Sequence, residues 1–170
     1  MDKKTVRAEM LKKRASLSVE EKTLIETHVL EILSKHPKII TATHVGLYYP
    51  IMNELDLRTI VLAFKDKYFY YPRMVDKKIS YFLVSSERDL EKSSFGILEP
   101  KMSCMNKNDL DVYIIPCVAT DGLYRIGYGK GYFDQFLADK TGYKIGIVHP
   151  FSKLELGLNE QHDVVLDEVI

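Results

Sequence analysis

Hydrophobic and polar positions along the chain alternate between the spacing of amphipathic helices and that of buried strands. Residues 3–15 are rich in good helix formers, and the segment from Ser18 to Glu21 has the form of a capping box that begins a second helix. Its apolar positions recur at helical spacing. These positions are Ile25, Val29, Ile32 and Leu33. Pro37 is predicted to end this helix.

Beyond residue 40 the pattern predicts strands alternating with helices. The predicted strands are residues 44–49, 68–71, 79–84, 111–118, 143–149 and, at the end, 164–170. A third helix is predicted after a cap at Asn53, with an apolar stripe of Leu57, Ile60, Val61 and Phe64. Residues 86–108 are predicted to form loops with a short helix, and a helix of about eight residues begins at Tyr132. The pattern indicates an α/β fold in which one domain spans residues 1–170. A parallel or mixed central sheet lies between helices in three Rossmann-like layers.

Composition and charge narrow the classes of partner. The 170 residues hold 24 Lys plus Arg and 24 Asp plus Glu, and this neutral balance disfavours a protein held to nucleic acid by bulk charge. The two cysteines, Cys104 and Cys117, form no zinc motif, which indicates a reduced cytoplasmic protein. The longest apolar run, residues 112–119, is far shorter than the about 20 residues of a membrane span. We therefore expect no nucleic acid and no membrane as partners, and a monomer or weak homodimer.

The most informative segment is a glycine-rich turn, residues 125–134, between a buried strand and a helix. Its three alternating glycines allow close approach of the backbone to a ligand, while Arg125 and Lys130 add positive charge. The segment fits neither the Walker A motif nor the dinucleotide fingerprint, since Tyr132 occupies the place of the third glycine. Spacing alone leaves two alternatives: a phosphate-binding loop, or a strained turn with exposed charges. For Asp134, spacing favours interaction with the helix dipole over magnesium binding.

At these residues the chain resembles the 5-formyltetrahydrofolate cyclo-ligase family, also called methenyltetrahydrofolate synthetases. Residues 125–134 match every position of the family's pattern R-[LI]-G-x-G-[GK]-G-[YF]-[YF]-D. Other matches lie in order along the chain from residue 3 to residue 169. They are Lys3 with Arg7, Tyr49-Pro50 with Glu54, residues 95–100, residues 160–163 and residues 167–169.

The resemblance implies an ATP- and Mg²⁺-dependent ligase acting on 5-formyltetrahydrofolate. The products would be 5,10-methenyltetrahydrofolate, ADP and phosphate. In the family's mechanism the formyl oxygen attacks the γ-phosphoryl group of ATP, N10 then attacks the activated carbon, and phosphate leaves. Such a reaction needs positioning and charge neutralisation, which glycine N–H groups, Arg, Lys and Mg²⁺ supply.

The resemblance also implies roles for individual residues. The ATP-binding residues would be Lys3, Arg7, Arg125, Ile126, Gly127, Tyr128, Gly129, Lys130, Gly131, Tyr132 and Phe133. Arg125 and Lys130 would be the electrostatic catalysts. The folate would meet Tyr49, Glu54, Tyr128, Gly129, Lys130, Gly131 and Tyr132. Asp134 and Asp163 would hold the metal.

Without the resemblance, the same residues have simpler explanations. Lys3 and Arg7 would belong to a solvated basic helix face, and Tyr49 to the core of a strand. Glu54 would be an acid in the first turn of a helix. Asp163 would be a loop or cap residue, and His162 an exposed loop histidine.

Three other functions compete with the ligase. A sugar-phosphate isomerase or acyl-CoA transferase on a related scaffold would need no ATP. A folate- or nucleotide-binding regulator would bind without turnover. Nucleic-acid binding through the basic first helix would depend on salt. The complete glycine motif, with Arg125, Lys130 and Asp134 all present, favours the ligase.

Overall fold

Four α-helices and eleven β-strands form the fold, and the computed structural model describes residues 1–170. The helices are α1 (Lys3–Ala15), α2 (Val19–Ser34), α3 (Pro37–Thr41) and α4 (Tyr132–Leu137). The first six strands are β1 (His44–Gly46), β2 (Tyr68–Val75), β3 (Lys78–Leu83), β4 (Leu90–Lys92), β5 (Leu98–Pro100) and β6 (Val112–Pro116). The others are β7 (Ala119–Asp121), β8 (Tyr124–Ile126), β9 (Tyr143–Ile147), β10 (Lys153–Leu154) and β11 (Glu168–Val169).

Six strands form the central sheet, in the order β11-β9-β6-β1-β2-β3. All neighbouring pairs are parallel except β2 and β3, which form an antiparallel hairpin at one edge. A small sheet of β10, β7 and β8 lies beside it, and β4 pairs with β5. The prediction of an α/β fold with a parallel or mixed sheet is confirmed.

The central strand β6 is buried along its whole length, and alternate side chains belong to different apolar clusters. Ile114 packs in the cluster that contains Val29 and Leu33 of α2. Ile115 packs in the cluster that contains Leu137 of α4. Since successive side chains of a strand point to opposite faces, helices cover both faces of the sheet. The predicted three layers are therefore present.

The first two helices match the sequence pattern closely. The side chain of Ser18 accepts a hydrogen bond from the N–H of Glu21, and Glu21 accepts one from the N–H of Ser18, so the capping box is complete. The helix ends at Ser34, before Pro37, because Pro37 starts a separate helix at its first position. Ile32 is 37% exposed and lies off the buried stripe that Val29 and Leu33 form. None of the helices combines the length and the apolar character that a membrane span requires.

The predicted third helix is wrong. Asn53 has φ 59° and does not cap a helix, and a short 3₁₀ helix forms instead at Arg58–Leu62. This 3₁₀ helix covers only part of the predicted apolar stripe. Residues 54–57 before it form no regular element, and Glu54 in this segment contacts Tyr128 of the glycine turn.

Candidate active site

A cleft of about 730 Å³ opens where the first turns of α1 meet the glycine loop, residues 127–131. Its third wall is the segment from Leu158 to Asp163. Ten of the residues that the resemblance implies line this cleft together: Lys3, Arg7, Arg125, Ile126, Gly127, Gly129, Lys130, Gly131, Asp134 and Asp163. They come from three parts of the chain that only the fold brings together.

The glycine loop needs its glycines for two different reasons. Gly129 and Gly131 have φ of 96° and 68°, a backbone region that other residues enter only at a cost. A Cβ on Gly127 would instead lie 2.8 Å from the Arg125 guanidinium carbon, so glycine leaves the space that this guanidinium fills. Arg125 is buried, donates from Nε to the carbonyl of Pro116 (2.9 Å) and stacks on Phe133 at 4.6 Å. The loop backbone and the arginine are thus packed as one unit.

The basic side chains of α1 are fixed against this loop. Arg7 donates from Nε to the carbonyl oxygen of Gly127 at 2.6 Å, and its guanidinium lies beside Gly129. Asp2 caps the helix by accepting from the N–H of Thr5. Arg7 therefore faces the cleft, and its face of α1 is not simply solvated.

Lys3 pairs with an acidic segment on the far wall. Its ammonium lies 2.5 Å from Asp163 Oδ2 and 3.4 Å from Glu160 Oε2. The same Asp163 oxygen accepts a hydrogen bond from the N–H of Glu160 at 2.6 Å, and the Asp163 side chain is only 6% exposed. Asp163 is therefore both a loop-ordering residue and the centre of an ion pair.

Carboxylates collect at one end of the cleft. Glu160, His162 and Asp163 offer ligand atoms within 4.8 Å of one another. Asp134, in the first turn of α4, lies across from them and receives only a long hydrogen bond, 3.4 Å, from the N–H of Val164. The His162 side chain is 74% exposed, as expected for a loop histidine. This oxygen-rich donor set suits a hard cation such as Mg²⁺.

Lys130 is the basic residue of the glycine loop itself. Like Lys4, which also lines the cleft, it is exposed and has no carboxylate within salt-bridge distance. No ion pair therefore neutralises the charge of either lysine.

Tyr128 turns the opposite way from its glycine neighbours and does not line the cleft. Its hydroxyl donates to Glu54 Oε1 at 2.9 Å and accepts from Arg14 Nη1 at 3.2 Å. Burial raises the pKa of Glu54 above its usual value, and hydrogen bonds from the N–H of Ile51 and from Tyr128 partly offset this effect. Burial and the nearby Glu54 carboxylate raise the pKa of Tyr128 well above 10, so it remains a neutral phenol. We call Arg14, Tyr128 and Glu54 the buried triad.

The turn before Glu54 is strained. Met52 and Asn53 both have positive φ, 45° and 59°, although neither is glycine. Backbone in this region costs about 1 kcal/mol or more per residue and is concentrated at functional sites. The side chain of Asn53 donates from Nδ2 to the carbonyl oxygen of Arg14 at 3.5 Å, so the turn contacts the end of α1. Hydrogen bonds from the N–H of Ile51 and from the Tyr128 hydroxyl hold Glu54 at the end of this turn.

Tyr49 lies apart from the cleft. Its ring contacts Tyr71 at 5.0 Å and carries the Arg58 guanidinium over its face at 4.8 Å. Arg58 is itself held by Asp56, with two hydrogen bonds of 2.6 and 2.8 Å. Tyr132 is 37% exposed beside the loop, outside the cleft.

Sequence reasoning assigned no role to Arg14. The signal was present, because Arg14 follows Val6 and Met10 at intervals of four residues, the spacing of one helix face. All three are buried. Glu160 was quoted only as part of a motif, and its contact with Lys3 could not be inferred from spacing.

The structure defines an α/β protein with a cleft at a glycine loop that basic residues line, and comparison with known proteins makes the assignment specific. The 5-formyltetrahydrofolate cyclo-ligase family matches residues 1–170. A 5-formyltetrahydrofolate cyclo-ligase of Mycoplasma pneumoniae is 30% identical over 177 residues, covering 100% of this chain and 98% of the relative. The corresponding protein of Mycoplasma genitalium shows the same identity and coverage.

Solved structures agree. The NMR structure of Aquifex aeolicus 5,10-methenyltetrahydrofolate synthetase superimposes with a TM-score of 0.87 at 33% identity, over 99% of this chain and 89% of that chain. A 5,10-methenyltetrahydrofolate synthetase from Mycoplasma pneumoniae superimposes with a TM-score of 0.81 at 26% identity, over 100% of this chain and 98% of that chain. This chain belongs to the 5-formyltetrahydrofolate cyclo-ligase family.

Proposed function

We propose that this protein is a cyclo-ligase that converts 5-formyltetrahydrofolate and ATP, with Mg²⁺, to 5,10-methenyltetrahydrofolate, ADP and phosphate. The observation that carries the proposal is the cleft. It gathers five cationic residues and three aspartates around an exposed glycine loop in a member of this family. The cations are Lys3, Lys4, Arg7, Arg125 and Lys130.

The phosphates of ATP would bind along the glycine loop. Loop N–H groups, Arg7 and Arg125 offer fixed donors, since both arginines are held by carbonyl groups at 2.6 and 2.9 Å. Lys130 is an exposed cation within the loop itself, and it would follow the charge of the phosphoryl group as that group is transferred. Preorganised donors of this kind stabilise developing negative charge without reorganising during the reaction.

The acidic end of the cleft fits Mg²⁺. Asp134 and Asp163 would hold the ion, since Asp134 keeps most of its hydrogen-bonding capacity unused and Asp163 now balances only an ammonium. When bound, the ion would neutralise phosphate charge. Lys3 would then exchange its carboxylate partner for a phosphate oxygen, which keeps its charge balanced.

The folate would lie on the other side of the loop, near Glu54 and Tyr49. A carboxylate accepts hydrogen bonds from pterin N–H groups, and a tyrosine ring offers a flat apolar face. The formyl oxygen would take the γ-phosphoryl group as ADP leaves. N10 would then attack the formyl carbon, and the phosphorylated oxygen would leave as inorganic phosphate.

Two free cysteines support a cytoplasmic location, because disulfides rarely form in a reducing compartment. We extend the proposal to a monomer or weak homodimer in that compartment, with the folate as small-molecule partner.

The test is a near-ultraviolet assay for 5,10-methenyltetrahydrofolate with protein, 5-formyltetrahydrofolate, ATP and Mg²⁺. Leaving out each component in turn provides the controls. Product that forms only when all are present is the expected result. ATP binding by folded protein without product would favour the nucleotide-binding regulator instead.

A further inference from the structure

We infer that Arg14 is a positioning residue of this site, which holds Tyr128 and, through it, Glu54 ionised and fixed in place for the folate. The inference rests on the proposed function for the identity of the substrate. The contacts that carry it are independent of that identity, since all of them lie within the chain.

Arg14 is a buried charge with a defined set of acceptors. The residue is 1% exposed, although an arginine this deep is uncommon without partners. Its Nη2 donates to the carbonyl of Cys117 at 2.7 Å, directly after β6, and its Nη1 donates to the Tyr128 hydroxyl oxygen at 3.2 Å. No carboxylate pairs with it directly. Tyr128 is therefore the side chain through which Arg14 is connected to Glu54.

The direction of the hydrogen bonds follows from the chemistry of the donors. A guanidinium can only donate, so the Tyr128 oxygen must accept from Arg14. The single hydroxyl hydrogen is then available for Glu54 Oε1, 2.9 Å away. The other Glu54 oxygen, Oε2, accepts from the N–H of Ile51 at 3.0 Å. Both oxygens of Glu54 thus meet donors, an arrangement that favours the carboxylate over the carboxylic acid.

Burial opposes this arrangement, because Glu54 is only 3% exposed and desolvation favours the neutral acid. Five titratable or charged groups on the surrounding elements bear on its charge. They are Arg14 on α1, Arg125 on β8, Tyr128 in the glycine loop, Tyr48 after β1 and Cys117 after β6. Burial raises the pKa of Cys117 to about 11 and that of Tyr48 well above 10, so both stay neutral. The positive charges that stabilise ionised Glu54 are therefore Arg14 and Arg125.

Histidine does not replace Arg14 in this role. His149 is 1% exposed, and burial, together with the charge of Arg14, lowers its pKa to about 4. It is neutral at physiological pH. Arg125 is held on the other side by the Pro116 carbonyl and the Phe133 ring. Arg14 is therefore the cation that contacts Tyr128 directly.

Three variants test the inference. Arg14→Met removes the charge, Arg14→Lys keeps it without the forked donors, and Tyr128→Phe removes only the hydroxyl bridge. Lys12→Met is the matched control, since Lys12 is exposed on the same helix. Two quantities are measured: the pKa of Glu54, from its side-chain carboxyl ¹³C shift assigned with Glu54→Gln, and the Kd of 5-formyltetrahydrofolate between pH 5 and 8.

Arg14→Met is expected to raise the measured pKa of Glu54 by about one unit or more, because an opposite charge is lost. As the pH is lowered, folate binding should then be lost at a correspondingly higher pH than in the wild-type protein. Tyr128→Phe should shift both midpoints in the same direction, Arg14→Lys by less than Arg14→Met, and Lys12→Met not at all. In the Glu54→Gln background, Arg14→Met should no longer move the pH dependence of Kd.

A pKa of Glu54 that stays unchanged in folded Arg14→Met and Tyr128→Phe proteins would overturn the inference, and Arg14 would then be a structural residue only. A shifted pKa with an unchanged folate Kd would overturn the role in substrate binding. Should wild-type protein lack turnover while the Glu54 pKa still moves, the proposed function fails and the control of Glu54 by Arg14 is supported.

Discussion

The two sides of the glycine loop are built in opposite ways. On the cleft side, Lys130 is exposed, and Lys3 holds a carboxylate that a cation would also bind. On the opposite side, Arg14 and Glu54 are 1% and 3% exposed and joined through one hydroxyl group. A triphosphate brings its own charge and can recruit mobile cations as it arrives. A flat, weakly charged pterin needs its hydrogen-bonding partner to be fixed beforehand.

The largest effect is expected on the open side. Lys130→Ala should lower kcat about 10²–10³-fold, the cost of losing one electrostatic contact to the transition state. The melting temperature should barely change, because Lys130 is exposed and has no ionic partner. Steady-state kinetics and a thermal melt measure the two quantities. Lys65→Ala, at an exposed lysine far along the chain, is the control, and a folded Lys130→Ala enzyme with normal turnover would contradict the assigned role.

The junction between the two sides is tested by Gly127→Ala. The added methyl would lie 2.8 Å from the Arg125 guanidinium carbon, so this side chain must move away. Such overpacking costs about 1–3 kcal/mol, and ATP affinity should fall as well. Urea unfolding and ATP titration check both effects. Gly131→Ala is the comparison: its Cβ meets open space and only the positive φ of 68° is strained, so a larger loss there would refute the packing argument.

The buried side makes stability depend on pH. The pKa of His149 is lowered to about 4 in the folded state, against an ordinary value of 6.5, so the unfolded chain binds the proton more tightly. Stability is therefore fully present above pH 6.5 and falls as the pH drops towards 4, by about 2 kcal/mol between pH 7.5 and 5. Urea unfolding at the two pH values measures this loss. His149→Gln should lessen it, whereas His162→Gln, at an exposed site, should preserve it; equal losses in both variants would contradict the assignment.

The smallest effect concerns the metal. Asp134→Asn should raise the Mg²⁺ concentration for half-maximal ATP binding, about tenfold, since one charged ligand becomes neutral. Folding should be unaffected, because Asp134 accepts only one long hydrogen bond. Isothermal titration of ATP at several Mg²⁺ concentrations gives the value. An unchanged Mg²⁺ dependence would contradict metal binding by Asp134 and would indicate that it interacts with the helix dipole instead.

The sequence pattern correctly predicted the features of the fold that depend on interactions between residues close together in the chain. The bounds of α1 and the Ser18 capping box follow from propensity and capping, which act within one turn. The glycine loop could be predicted because a backbone with positive φ strongly favours glycine at those positions. At Asn53 tertiary contacts oppose the predicted helix: Asn53 reaches the end of α1 and Glu54 is held by Tyr128, contacts that local propensity does not contain.

The residues of the cleft could be predicted from the sequence more completely than the contacts of the buried triad. The residues that the resemblance implied for ATP binding mostly line one cleft, while Tyr128, Tyr132 and Phe133 do not. The burial of Arg14 could be predicted from its register with Val6 and Met10, but the residues that it contacts could not. Its partners at Cys117 and Tyr128 lie more than 100 residues away in the chain. Only the fold could supply them.

Helix α1 carries Arg7 on the cleft side and Arg14 seven residues later, a span of about 10 Å along one rigid helix. A shift of this helix that accompanies ATP binding would also move the contact to Tyr128. The affinities for the two substrates would then be linked, and the linkage would be reciprocal: whatever factor ATP applies to folate binding, folate applies to ATP.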